Sequence, residues 1–343
     1  MHTSDVPSQP VQPALIASSH AMKEVLRLAS RAASSDAIVL IQGETGTGKE
    51  VVARYIHRHS NRADGPFVPV NCGAYTDSLL ASELFGHVRG AFTGAVSDRA
   101  GVFESASRGT VFLDEIATMS PTMQVKMTRV LQEKRVLRVG ASREMPIDAR
   151  VVAATNANLA ELVATKKFRE DLYYRVKVVS CRIPPLRERR EDIKPLIDHY
   201  LDYFSRTYAK QNIRLSESTE RTLLEHPWPG NVRQLRSEIE QVVTMADSGT
   251  VVMPTQLSPE VHGAPPVLGT PDQSPAVARS LPNAASESEA TYQQLLDVWT
   301  QDLITRRLGQ FGGNITKTAQ SLAISRSTLY ALLKKYGLHG QDD

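Results

Sequence analysis

The stretch Ile38-Val39-Leu40-Ile41 followed by Gly43-Glu44-Thr45-Gly46-Thr47-Gly48-Lys49-Glu50 decides the fold. A short apolar run bounded by turn residues reads as a strand buried on both faces. The glycine-rich loop then opens into a helical pattern over Lys49–His59. Glycines at 43, 46 and 48 let backbone N–H groups turn inward toward an anion with no β-carbon in the way. The start of the helix adds partial positive charge, and Lys49 brings a full charge to the β- and γ-phosphates of a nucleotide. A phosphate loop of this kind usually follows its lysine with a hydroxyl for magnesium; here Glu50 stands there. On the loop alone, a glycine-rich turn before a helix remains the other reading.

Working outward, Val111-Phe112-Leu113 and Val151-Val152-Ala153-Ala154 repeat the buried-strand pattern, and Pro121–Gln132 and Asn158–Ala164 supply helical crossovers. This predicts an α/β domain, a parallel sheet sandwiched by helices. The second strand ends in Asp114-Glu115 and the third in Ala154-Thr155-Asn156. Polar groups at the C-terminal ends of such strands face the ligand crevice. Asp114 would hold magnesium through water and Glu115 would polarise an attacking water; solvation of a strand end is the plainer alternative. Asn156 would hold that water or the γ-phosphate, or it simply turns the chain. From Arg190 the strands are expected to stop and three helices to form a lid: Ile193–Tyr208, Ser216–His226 and Asn231–Ala246.

The chain has 343 residues, 41% hydrophobic and 22% charged, with a formal net charge of +3. That balance excludes a globally basic coat for nucleic acid but not a local basic patch. Cys72 and Cys181 are too few for a disulfide framework or a metal cluster and read as buried thiols. The N-terminus lacks the basic and then apolar stretch of a signal peptide, and no run approaches the ~18 apolar residues of a membrane span. The expectation is a protein of the cytoplasm, with no membrane. Residues 254–290 are rich in Pro, Ala, Ser and Gly and read as a linker, spanning roughly 30–35 Å as a coil. Between Leu303 and Gly340 there are six Lys/Arg and no Asp or Glu. There Asn314 and Ser325 can cap two short helices. The second, Arg326–Tyr336, buries Leu329, Leu332 and Leu333 and presents Arg326, Ser327, Thr328, Tyr330, Lys334 and Lys335. That suits a helix laid in a major groove; a hairpin used only for dimerisation would look similar.

One loop does not fit an ordinary ATPase. Gly90-Ala91-Phe92-Thr93-Gly94-Ala95 sets one aromatic among small residues. A phenylalanine on a mobile tip can bury a large area on a partner; it can also fold back into the core.

GETGTGKE (43–50), ELFGH (83–87), GAFTGA (90–95), TVFLDE (110–115), ATN (154–156), FREDLYYR (168–175), PPLRERREDI (184–193) and WPGNVRQLR (228–236) occur in this order. The series resembles the bacterial enhancer-binding proteins, the AAA+ activators of sigma-54 RNA polymerase, over roughly residues 14–260. Glu50 is then no anomaly, because that family also ends its phosphate loop in Glu. The resemblance implies ATP and Mg2+ as cofactors. Gly43, Glu44, Thr45, Gly46, Thr47, Gly48, Lys49 and Glu50 would form the nucleotide loop, with Leu15 and Ile16 beside adenine and Arg233 as the lid sensor. It implies Asp114 as the magnesium residue, Glu115 as the water residue, Asn71 as a switch asparagine, and Thr155 and Asn156 as the first sensor. Arg169 and Arg175 would be arginine fingers reaching a neighbouring subunit; surface pairing with Glu170 and Asp171 is their alternative. Gly90, Ala91, Phe92, Thr93, Gly94 and Ala95 would contact sigma-54, with 132–143 as a second, supporting loop.

Residues 311–338 resemble a Fis-type helix-turn-helix, which adds Thr316 and Ser325 to the DNA-binding set. The apolar stripe Tyr292, Leu295, Leu296, Trp299, Leu303, Ile304, Leu308 would serve dimerisation. The organisation expected is therefore an N-terminal tail (1–13), an AAA+ α/β ATPase subdomain (14–188), a helical lid (189–253), a linker (254–290) and a small all-α DNA-binding domain (291–343). Partners would be sigma-54 RNA polymerase holoenzyme, double-stranded enhancer DNA, and copies of the chain in dimers and a hexameric ring. A mixed ring with a related AAA+ protein and a trans-acting inhibitor are further possibilities, since few residues precede the ATPase domain. The competing readings are a DNA-binding regulator whose AAA+ domain only senses nucleotide, and an AAA+ unfoldase or initiator. Three positions depart from the family pattern: Ala17 and Lys134 where glycine is common, and Val88 where an acid is common.

Overall fold

The computed structural model describes residues 15–92, 94–262, 304–305, 307–308, 311, 314–321 and 326–336. The chain divides into two compact units, Met1–Leu268 and Gly269–Asp343.

In the first unit, α1 (His20–Ala33), β1 (Val39–Gln42), α2 (Lys49–Arg58), β2 (Phe67–Asn71), α3 (Asp77–Phe85), β3 (Gly86–His87), β4 (Arg99–Ala100), α4 (Val102–Ser105), β5 (Thr110–Asp114), α5 (Pro121–Glu133), β6 (Arg135–Leu137), β7 (Glu144–Pro146), β8 (Arg150–Thr155), α6 (Leu159–Ala164), α7 (Glu170–Val176) and β9 (Val179–Arg182) follow in chain order. Five strands form one parallel sheet in the order β2-β5-β8-β1-β9. Alternation along each strand feeds two cores. Val39, Ile41, Phe112, Val152 and Ala154 pack against α1 and α2 on one face. Leu40, Val70, Val111, Leu113, Val151 and Ala153 pack on the other against residues of α3, α5, α6 and α7. The sheet's cysteine neighbours are plain packing groups. Cys72 and Cys181 are free and buried, and burial pushes their thiols up to about 12 and about 11.

The lid comprises α8 (Ile193–Thr207), α9 (Glu217–Glu225) and α10 (Asn231–Met245) around a buried Trp228. Two expectations are corrected here. Strands do not stop at Arg190: β10 (Arg214–Leu215) pairs in parallel with β11 (Val251–Val252) and closes the lid. The linker does not begin at 254, because Leu257 and Val261 are 6% and 3% exposed within the lid core, and Glu238 accepts hydrogen bonds from the Ser258 N–H and hydroxyl. The remainder of the expected linker, from 263, and the tail 1–13 lie outside the described residues.

In the second unit, helix Ile315–Ser321 and helix Arg326–Tyr336 share a small core of Ile304, Leu308, Ile315, Ala319, Leu329 and Leu333, with Leu332 partly buried. Asn314 caps the first helix, its Oδ1 accepting from the Lys317 N–H at 3.0 Å. Ile304 and Leu308, which belong to the stripe expected to serve dimerisation, pack in this core, and the rest of the stripe lies outside the described residues.

Candidate functional site

The crevice is built from strand ends. In a parallel sheet all C-terminal ends lie on one edge, so the loops that leave them meet. Asn71 stands opposite Asp114 across β2 and β5, and Gln42 opposite Thr155 across β1 and β8. The Gly43 N–H donates to the Thr155 carbonyl at 3.2 Å, and Asn156 Nδ2 donates to Thr45 Oγ1 at 3.2 Å. Residues 43–50, 71, 114–115 and 155–156, predicted from four separate stretches, thus gather at one place. Glu115 leaves β5 with φ +54°, a left-handed conformation for a bulky residue, the kind of strain that concentrates at functional sites. A β-carbon at Gly73 would lie 2.7 Å from Glu115 Oε2 and 3.4 Å from Asn71 Oδ1, so the glutamate and the asparagine meet across that glycine.

Charge is concentrated under the loop. Lys49 is 9% exposed, and its Nζ donates to the carbonyls of Gly43 and Glu44 at 2.9 and 3.1 Å. Burial lowers the Lys49 pKa, opposed by Asp114 and Glu115. Burial raises that of Asp114, opposed by the Glu115 N–H and by Lys49. Lys49, buried, and Asp114, half-buried, therefore each favour the other or a bound counter-ion. A triphosphate against Lys49 and a cation against Asp114 would meet that demand, and Gly48 leaves open space where a β-carbon would sit. The residues present fit ATP and magnesium. Glu50 turns aside and pairs with Arg54 at 2.6 Å.

The lid presses on the loop. At Gly46, φ +79°, a β-carbon would collide with the Gly230 carbonyl, and the Arg233 N–H donates to the Gly46 carbonyl at 3.3 Å. Leu15 packs with the α1–α2 core and Ile16 with the lid core, so the N-terminal segment bridges the two. Four residues that carry this arrangement had no role in the sequence reading, although they lie in quoted motifs. Arg187 pairs with Glu44 through two bonds, 2.5 and 2.8 Å. Asn231, fully buried, accepts from the Leu186 N–H at 2.7 Å and donates to Glu44 Oε2 and the Thr45 carbonyl at 3.2 and 3.1 Å. Buried Arg189 donates to the Thr47 carbonyl at 2.8 Å. Asp192 accepts from the Ser18 and Ser19 N–H groups and the Ser19 hydroxyl. An acid inside an anion-binding loop was the signal that such partners had to exist.

Arg169 and Arg175 are surface residues. Arg169 pairs with Asp171 at 2.8 Å, as its alternative reading had it, while its N–H is held by Gln124 Oε1 at 2.8 Å. Arg175 is exposed at the end of α7.

The GAFTGA loop leaves the β3–β4 pair. Phe92 is 38% exposed and sets its ring edge-on to His87, centroids 5.0 Å apart. It therefore neither enters the core nor stands clear of support. His87 is fixed from below by Ser82 Oγ at 2.8 Å. Ala95 is buried, and its N–H donates to the Phe92 carbonyl at 3.0 Å. Thr93 lies outside the described residues. The second loop is the β6–β7 hairpin, and it braces the first. The Val88 N–H donates to the Val139 carbonyl, and the Val139 N–H to the Gly86 carbonyl, at 3.1 and 2.9 Å. At Gly140, φ +80°, a β-carbon would lie 2.8 Å from Ala91 Cβ and 3.1 Å from Val88 Cγ2. Val88, where an acid is common, thus makes an apolar contact with the hairpin. Lys134 ends α5 at φ +54°, a C-cap position that favours glycine; a lysine there costs about 1 kcal/mol. Lys134→Gly is expected to raise the calorimetric midpoint of the first unit by about 2–4 °C. A lowered midpoint would mean that the lysine side chain contributes more than its backbone costs.

In the second unit Thr316, Arg326, Ser327, Thr328, Tyr330 and Lys335 are exposed. Ser325 and the side chain of Lys334 lie outside the described residues.

Fold and site together define a P-loop AAA+ domain with a helical lid, joined to a helix-turn-helix. Residues 15–182 match the Sigma-54 interaction domain, 187–273 the AAA+ ATPase lid domain and 301–336 the Bacterial regulatory protein, Fis family. Regulatory protein AtoC of Escherichia coli is 40% identical over 96% of this chain and 68% of its own. The sigma54-dependent transcriptional regulator SfnR of Pseudomonas fluorescens is 41% identical over 89% of this chain and 83% of its own. The crystal structure of NtrX from Brucella abortus in complex with ATP superposes with a TM-score of 0.67, at 31% identity, covering 95% of this chain and 70% of that one. The chain belongs to the sigma-54-dependent, enhancer-binding transcriptional activators, an ATPase family. Among the described residues no helix is long and apolar enough to cross a membrane.

Proposed function

We propose that this chain assembles into a ring, hexameric by preference, and spends ATP hydrolysis on remodelling the closed complex of sigma-54 RNA polymerase at promoters in the bacterial cytoplasm. The observation that carries the reading is the gathering of the 43–50 loop, Asn71, Asp114, Glu115 and Asn156 on one sheet edge. Magnesium would supply positive charge against the nucleotide phosphates. Asp114 would hold it through water, and Lys49 and the loop amides would hold the phosphates. Glu115 would take the proton from the attacking water. Asn156 and Asn71 would orient these groups, with Leu15 and Ile16 beside the base and Arg233 reporting from the lid. Arg169 and Arg175, exposed on the surface, would complete the site of the adjacent subunit. A head-to-tail contact of this kind closes into a ring when its rotation permits. The loop carrying Phe92 and Thr93 would engage sigma-54. Thr316, Ser325, Arg326, Ser327, Thr328, Tyr330, Lys334 and Lys335 would hold enhancer DNA as dimers on a palindrome. A related AAA+ chain could share the ring, and a partner protein could control it in trans.

The test is transcription in vitro from a sigma-54 promoter with purified holoenzyme. Open complexes are expected with ATP and not with a non-hydrolysable analogue. ATPase activity without open complexes would favour a missing partner or a different substrate.

A further inference from the structure

Glu44 is out of place by simple electrostatics. It is the second residue of a loop whose amides and lysine are arranged for phosphates, and a carboxylate there opposes a polyanion. Its side-chain partners come from the lid side: the Arg187 fork at 2.5 and 2.8 Å, and Asn231 Nδ2 at 3.2 Å. Those two are tied to each other through the Leu186 N–H, which donates to Asn231 Oδ1 at 2.7 Å. Asn231 Nδ2 also donates to the Thr45 carbonyl, and Gly46 lies directly under Gly230. The Arg187–Glu44 pair is part-exposed, at 43% and 42% of the two side chains, and Asn231, the first residue of α10, is the partner that a lid helix supplies. These contacts hold the Glu44 carboxyl at about 2, the Arg187 fork first and Asn231 second, so it is charged at any working pH.

We infer that Glu44, Arg187 and Asn231 form a charge-masking clasp that couples lid position to nucleotide affinity. With the lid down, Arg187 and Asn231 cover the Glu44 charge and the loop accepts phosphates. When the lid lifts, the carboxylate is uncovered beside the loop and repels them, which favours release of product. Arg187 acts here as a positioning residue through Glu44. The inference rests on the nucleotide-binding reading above.

The experiment measures affinity for a fluorescent ADP analogue, and amide exchange of the nucleotide-free protein, in wild type, R187A, E44Q and R187A/E44Q. R187A is expected to weaken binding about tenfold, because it leaves the acid uncovered. It should also speed exchange at the start of α10 before any nucleotide is added. E44Q in the R187A background is expected to recover affinity to within about threefold of wild type, since the repelling charge is gone. A contact that merely glues the lid would not behave this way: the double variant would then bind as weakly as R187A or more so, and that result overturns the clasp. Unchanged affinity in R187A overturns it as well. Absence of binding by the wild-type protein would overturn the nucleotide reading itself, and the clasp with it.

Discussion

Glu115→Gln is expected to bind ATP with near wild-type affinity and to hydrolyse it at least a hundredfold more slowly. The size follows from the role: a positioned general base contributes about 10²–10⁴-fold. The amide keeps the shape of the side chain but cannot take a proton from water. Glu115 sits just past the end of β5, its N–H accepted by Asp114 Oδ1 at 2.9 Å, and its carboxylate lies over Gly73 beside Asn71. Glu115 supports the buried Lys49 charge, but Asp114 does so more strongly and remains, so the melting temperature should move little. Single-turnover hydrolysis and equilibrium binding on the same preparation separate the two steps. Normal turnover would remove Glu115 from the chemistry. Loss of binding would mean that it holds nucleotide or metal rather than water.

Phe92→Ala is expected to abolish open-complex formation while ATPase activity stays within about twofold. The ring is the largest apolar group among the described residues of its loop, and burying it on a partner would dominate that contact. In the free protein it loses its edge-on contact with His87 at 5.0 Å, worth about 0.5–1.5 kcal/mol. His87, anchored by Ser82, should hold the β3–β4 base in place without it. Parallel assays of hydrolysis and promoter opening decide the point. Equal loss of both would mean that the Phe92–His87 contact supports the ATPase fold and that the loop tip is not a partner surface.

Much of this site was legible because each part is written locally. The strand, glycine loop and helix of 38–59, the acids ending a buried strand and the asparagine ending another are each short motifs, and one sheet edge collects them by topology. The paired helices at the C-terminus were legible for the same reason: Asn314 caps and Leu329 and Leu333 repeat at helical spacing. The sequence reading left out β2 and β9, which are the two edges of the sheet. An edge strand needs only one side hydrogen-bonded and one face buried, so β2 tolerates Pro69 and its pattern is weak. The lid boundary was misplaced because Leu257 and Val261 sit in a stretch otherwise composed like a linker; two apolar residues suffice to anchor it.

What the sequence alone determined is the set of local motifs, each within a span of a few residues, on which the proposed phosphate, cation, water and DNA roles rest. What only the tertiary structure decided is which distant groups meet. Glu44 finds Arg187 and Asn231 at separations of 143 and 187 residues, and Phe92 finds His87 rather than the core. Such pairings depend on how the lid and the braced hairpin pack. That packing is set by the summed burial of many side chains, none of which carries the partner's address in its own neighbourhood.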